Sequence, residues 1–300
     1  MSPSPIALFV YNRLDHTRRT IEALKKNVLA SESDLIIFSD GPKSPEHEQK
    51  VNDVRSYIQG VTGFKTLTII VQEKNLGLSR SVTGGVTQIL DERGTIIVLE
   101  DDIVTSPGFL TFMNQALNLY KDEPNVICIH GYVYPTSISL PDNFFLPGAD
   151  CWGWATWKRG WDLYEKDSAL LLKEIQSKKL EREFNFNDSY HYTGILKEDI
   201  EGKVDSWAIR WYASAFLKGK FTLYPGKSLV QNIGFDGSGV HCEPNEYYNQ
   251  NNSVDFLPVS KIEVVKSQAG FEAFYHFFKK SQPVKKKKSF WTKIAFWRSA

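Results

Sequence analysis

The stretch Thr95-Ile96-Ile97-Val98-Leu99-Glu100-Asp101-Asp102 decides how this chain is read. An apolar, β-prone run without alternation predicts a strand covered on both faces, as in a parallel sheet between helices. Three carboxylates directly behind it repel one another unless something positive meets them. An acidic turn capping the next helix is the bland explanation. A divalent cation is the sharper one, since Mg²⁺ and Mn²⁺ favour oxygen ligands and bind through one or two carboxylates plus substrate phosphates.

Working outward, residues 6–11, 35–39, 67–71 and 126–129 have the same apolar character and predict further strands buried on both faces. Between them, 15–27, 45–58, 79–93 and 107–121 have helical spacing, the third despite Gly84-Gly85 and the last with Pro107 just inside a Ser106 cap. Repeated βα units predict a doubly wound α/β domain, whose ligands lie beyond the carboxyl ends of the strands. The residues there are polar: Asn12-Arg13, Ser39-Asp40-Gly41-Pro42, Glu73-Lys74-Asn75-Leu76-Gly77 and Glu100-Asp101-Asp102. Four strand ends are thus expected around one cleft. The second half differs, with aromatics and glycines over 144–161, a buried helix over 206–217 and strands or a hairpin over 221–233. It is expected to share the sheet and not to form an independent unit.

Of 300 residues, 42% are apolar and 13% aromatic, ample for a folded core. The net charge of +1 hides an asymmetry, because no acidic residue follows Glu272 while eight Lys and Arg do. The rest holds 28 basic against 35 acidic residues, and such a body is unsuited to the phosphates of nucleic acid. Three cysteines in no CxxC spacing suggest neither a disulfide framework nor a zinc site. With no signal-like or membrane-spanning run, a cytoplasmic protein is expected.

The ordered set of motifs, from Asn12-Arg13 through Ser39-Asp40-Gly41-Pro42 and Asn75-Leu76-Gly77-Leu78-Ser79-Arg80 to Val98-Leu99-Glu100-Asp101-Asp102-Ile103 and Ser106-Pro107-Gly108-Phe109, resembles the GT-A fold glycosyltransferases. It is most similar to the inverting N-acetylglucosaminyltransferase I group and bacterial sugar transferases related to it, over residues 6–242. The resemblance implies transfer of a hexose or N-acetylhexosamine from a UDP-sugar to a glycan or lipid-linked acceptor, with inversion and with Mn²⁺ or Mg²⁺. It implies Asp102 as metal ligand, Asp101 as a contact to the donor's ribose or sugar, and Glu100 as the first residue of the triplet. Arg13 and Asp40 fall on positions that hold the nucleotide, Asp40 by accepting hydrogen bonds from uracil, and Arg80 opens a helix near the donor. Asp205, two residues before Trp207, falls in the segment that carries the catalytic base, although Ser206 stands where the family has a second acid; Glu198 and Asp199 are the alternatives. His241 lies in a glycine-studded loop that folds over the donor diphosphate. Among Trp152, Trp154, Trp157 and Trp161, Trp154 is expected to offer a sugar platform. His130 reads as structural.

On this reading residues 1–278 are one transferase domain, with a nucleotide-sugar half over 1–130 and an acceptor-side half over 131–278. Residues 279–300 form a basic aromatic tail suited to an anionic membrane surface, which would hold the enzyme on the inner membrane face of a bacterium. The rival functions are a sugar nucleotidyltransferase, disfavoured by the absence of a glycine-rich turn after the first strand, and a catalytically silent carbohydrate-binding protein of the same fold.

Overall fold

The computed structural model describes residues 2–237, 248 and 256–281. Its strands are β1 (Ile6–Val10), β2 (Asp34–Ser39), β3 (Thr66–Val71), β4 (Thr95–Glu100), β5 (Ile103–Thr105), β6 (Val126–His130), β7 (Asn143–Pro147), β8 (Trp154–Trp157), β9 (Phe221–Pro225) and β10 (Val230–Asn232). The helices are α1 (Leu14–Leu24), α2 (Pro45–Gln59), α3 (Leu78–Arg93), α4 (Phe109–Leu119), α5 (Lys158–Trp161), α6 (Ser168–Ser177), α7 (Glu181–Phe184), α8 (Tyr192–Ile200), α9 (Trp207–Leu217) and α10 (Gln268–Ser281). Eight strands form one sheet in the order β3-β2-β1-β4-β8-β6-β9-β7, and β5 pairs with β10 in a separate antiparallel ribbon. Only β7 and β8 run against the others, so the fold is mixed α/β around a mostly parallel sheet, as in GT-A proteins.

Alternate residues of β1 explain the two covered faces. Ile6, Leu8 and Val10 point to one side, where Ile21, Leu24, Phe112 and Met113 belong to the same apolar cluster. Ala7 and Phe9 point to the other, with Val82, Val86 and Trp211. Glycine inside a helix costs about 1 kcal/mol relative to alanine, yet Gly85 has a packing reason: a Cβ there would lie 2.9 Å from the stacked rings of Phe9 and Phe38. Gly94, at φ 77°, ends α3 in the left-handed region that glycine enters freely.

Four expectations change. The strand at 67–71 is the sheet's edge and is only half covered, because among the described residues no strand pairs beyond β3. Pro107 lies in a turn instead of the helix, which starts at Phe109 with Gly108 as its cap. The aromatic stretch over 144–161 contains two reversed strands, with β8 wedged between β4 and β6. The halves therefore share one sheet, as expected. Near the end, α10 buries Phe271, Phe274, Phe277 and Phe278 against Phe144 and Tyr134, so this helix belongs to the body and passes through the proposed boundary at 278. The tail beyond Ser281 lies outside the described residues. Among those described, no helix is long and apolar enough to cross a membrane.

Candidate active site

Strands β1 to β4 are parallel neighbours, so their carboxyl ends open on one edge. Phe9 pairs with Glu100, which brings the segment after β1 alongside the triplet after β4. Arg13 is the N-cap residue of α1 but makes no capping hydrogen bond with its side chain. Its guanidinium instead crosses the strand ends, donating from Nη2 to Asp101 Oδ1 and, at 2.8 Å, to Asp102 Oδ2. The main chain of the triplet is pinned as well: Thr20 Oγ1 donates to the Asp101 carbonyl at 2.8 Å and the Ile233 amide to the Asp102 carbonyl at 2.9 Å. Gly234 approaches so closely that a Cβ there would collide with Asp102 Oδ2. His16 Nε2 stands 3.2 Å from Asp236 Oδ2 on the same rim.

Burial and mutual repulsion set the protonation of the triplet. Burial, reinforced by Asp102 and Asp101, pushes Glu100 up to about 8 from its ordinary 4.5. Asp101 is pushed up to about 6, because burial outweighs its contact with Arg13. For Arg13, burial works to lower the guanidinium, but the two aspartates outweigh it and hold it above its ordinary value. A carboxyl raised in the fold keeps a proton that the unfolded chain has released. Stability of the ligand-free protein should therefore fall as pH rises from about 4.5 through about 8. Glu100→Gln is expected to flatten that slope in thermal melts across the range, and an unchanged slope would place its origin elsewhere.

The other expected residues divide. Asp40 is buried and both its oxygens are occupied, Oδ1 by the amides of Gly41 and Leu76 and Oδ2 by the Gly77 amide and Asn75 Nδ2. A carboxylate accepts about four hydrogen bonds, so Asp40 braces the loop before α3 and has no capacity left for uracil. Trp154 is fully buried, stacked on Trp207 at 5.5 Å and tilted against Trp211 and Trp161, which makes it core and not a sugar platform. Trp152, two residues earlier, is only partly covered. His130 is structural as expected: Nδ1 donates to the Tyr132 carbonyl, Nε2 accepts from the Trp152 amide, and burial lowers its pKa. His241 lies outside the described residues.

Asp205 sits beside α9 with a side chain 64% exposed, and it accepts from Arg210 Nη2 at 2.6 Å. Burial works to raise its pKa, but hydrogen bonds from Arg210 and Ser79 outweigh it and keep the carboxylate ionised below its ordinary range. Ser206, not Asp205, caps the helix, accepting from the Ile209 amide. Arg80 is exposed in the first turn of α3, and its charge also acts on Asp205. The structure thus gathers Arg13 with the triplet, and Asp205 with Arg80.

Arg210 was not anticipated. It also binds Ser79 Oγ at 2.7 Å, Asp199 Oδ2 at 3.0 Å and Tyr164 Oη at 3.1 Å, tying α9 to α3 and α8. Its signal was in the sequence, as a lone charge in the otherwise apolar run of α9. Asp199 is a structural partner here, its other oxygen taken by the Ser206 amide.

Among the described residues no group of three or more His, Cys, Asp or Glu is placed to enclose a metal ion. A Mg²⁺ or Mn²⁺ ion that shares a diphosphate needs only one or two carboxylates. The hard oxygens of Asp102 suit such a shared ion, whereas both oxygens of buried Asp101 are held by Arg13.

No curated protein matches the chain. A solved structure of a candidate nucleotide-diphospho-sugar transferase from Desulfovibrio desulfuricans is similar at 15% identity and a TM-score of 0.34, covering 54% of this chain and 68% of that one, too slight a superposition to bear on function. Residues 6–141, which hold β1 to β6 with Arg13 and the acidic triplet, match the family described as Glycosyl transferase family 2, and the match supports a glycosyltransferase of the GT-A fold.

Proposed function

We propose that this protein moves a hexose or N-acetylhexosamine from a UDP-sugar to a glycan or lipid-linked acceptor, with inversion at the anomeric carbon. The observation that carries the reading is the acidic triplet at the carboxyl end of a central parallel strand, bridged by a guanidinium, within the segment similar to a glycosyltransferase family. Preference for uracil rests on the sequence resemblance alone, now without Asp40.

In the reaction the acceptor oxygen attacks the anomeric carbon as the bond from that carbon to the diphosphate breaks. Asp205 takes the acceptor proton, and the nucleoside diphosphate leaves. Arg210 fixes the Asp205 carboxylate in position and keeps it ionised. Arg13 orients Asp101 and Asp102 at the cleft. Asp102 would hold a Mn²⁺ or Mg²⁺ ion together with the donor's phosphates, and such an ion offsets the charge that gathers on the leaving diphosphate. Arg80 opens α3, where helix N-termini favour phosphate. Incubation with a panel of UDP-, GDP- and dTDP-sugars should release the donor's own nucleoside diphosphate, by transfer or slow hydrolysis, from the UDP-sugar alone and only with the ion added. Release of pyrophosphate from UTP and a sugar phosphate would favour the nucleotidyltransferase reading, and no turnover of any donor would favour a silent binding protein.

The tail proposal is tested separately. Residues 285–300 carry six Lys and Arg beside Phe290, Trp291, Phe296 and Trp297, and each such charge near an anionic surface contributes about 1 kcal/mol. Intact protein should sediment with anionic vesicles at low salt and release as salt rises. A chain ending before Lys285 keeps the whole of α10 and should stay in the supernatant.

A further inference from the structure

A second feature lies on the same sheet edge. Tyr134 follows β6, Asp150 to Trp152 lead into β8, Tyr224 belongs to β9 and Ser206 caps α9; together with Tyr190 and Tyr192 they line a cavity of about 150 Å³. A cavity of ~150 Å³ can hold benzene, so this one has room for the ring of a sugar with its substituents directed toward the mouth. Its walls are aromatic, yet its one carboxylate among the lining residues is Asp150. Asp150 accepts from the Cys151 amide at 2.9 Å and from Tyr224 Oη at 3.2 Å. Two of about four acceptor positions are thereby used, in contrast to Asp40, whose oxygens are filled. Its side chain is 23% exposed and stands 3.6 Å from His130 Nε2, a nitrogen already engaged with the Trp152 amide.

Position and strain point the same way. Asp150 to Trp152 lead into β8, the direct neighbour of β4, so the cavity lies beside the acidic triplet on the same edge of the sheet. One wall is Phe186, held at φ 49° and followed by Asn187 and Asp188 at 52° and 62°. Asparagine and aspartate tolerate the left-handed region, whereas phenylalanine there is strained, and such strain clusters at ligand sites. A wider opening of about 310 Å³, lined by His191 and Glu198, shares Tyr190 and Ile195 with the cavity and so adjoins it.

Resting on the transferase reading, we propose that this cavity is an acceptor subsite that seats one pyranose ring of a glycan, with ring hydroxyls donating to Asp150 and CH faces packed on the tyrosines. Aromatic faces suit the apolar faces of a sugar, and a charged acceptor suits its hydroxyls. The partly covered ring of Trp152 gives the site a fluorescent reporter.

The test titrates the intact protein with methyl pyranosides of glucose, galactose, mannose and N-acetylglucosamine in the presence of UDP and Mn²⁺, reading tryptophan fluorescence and ligand saturation-transfer signals. At least one pyranoside should bind wild type. Asp150→Asn should weaken it about 10-fold or more, the scale of a lost hydrogen bond to a charged group. Ala208→Leu, which fills the cavity from α9, should do the same without touching the His130 and Tyr224 contacts, so the test survives if the Asp150 variant folds poorly. UDP binding, measured by calorimetry, should stay within about two-fold in both variants. The proposal is overturned if no pyranoside binds, if both folded variants bind it like wild type, or if a UDP-sugar displaces it competitively, which would put the donor's sugar in the cavity. Failure of UDP binding in wild type would instead count against the nucleotide-sugar reading.

Discussion

Asp102→Ala is expected to lower sugar transfer by about 10³-fold or more while leaving the protein folded. The residue stands in a turn after β4, and its side chain, 14% exposed, meets Arg13 and Gly234 and takes no part in the apolar core. Removing it leaves Arg13 paired with both oxygens of Asp101, so no unpaired buried cation results. The fold should therefore keep its circular dichroism and melt within a few degrees of wild type. Because Asp102 is the residue proposed to hold the ion, the variant should also lose the response of its melting temperature to Mn²⁺ plus UDP, a response that follows from binding to the native state. Near-normal turnover in the variant, or full wild-type activity in EDTA, would remove the metal from the proposal.

Asp205→Asn should lower kcat by about 10² to 10⁴, the usual range for loss of a general base, with UDP affinity unchanged. The substitution keeps the shape of the side chain and leaves Arg210 anchored by Asp199, Ser79 and Tyr164, so α9 stays in place. A folded variant within a few-fold of wild type would move the base elsewhere. Glu198, which lines the wider opening, would then be the residue to replace, since Asp199 has its oxygens committed to Ser168, Ser206 and Arg210.

The sequence made the first half legible because its signals are local. Each of the five apolar runs is a strand within a residue or two of its predicted ends, and Gly94 stops α3 where a left-handed residue was needed. The site was legible only as residue types at strand ends. That Arg13 lies across Asp101 and Asp102 follows from the parallel pairing of β1 with β4, which no local pattern encodes. Asp40 and Trp154 show the limit from the other side. An acid at a strand end can bind a ligand or brace a loop, and a tryptophan can face a sugar or a core. The choice depends on neighbours far along the chain, Asn75 to Gly77 in one case and Trp207 with Trp211 in the other. The reversed strand β8 escaped because four residues, two of them tryptophans, carry too little periodicity to set direction.

The place of β8 between β4 and β6 also bears on how the chain is born. A ribosome synthesises β1 to β4 and then β6 before Trp157 exists, so β4 leaves the exit tunnel with one edge unpaired and its buried run uncovered. At about 5–20 residues per second, the wait for β8 lasts several seconds. An open apolar strand edge is a template for pairing with another chain. The nascent polypeptide thus carries a window of aggregation risk fixed by topology, one that slower synthesis lengthens and a chaperone bound to the β4 edge would shorten. A fragment ending near residue 141 would never close it.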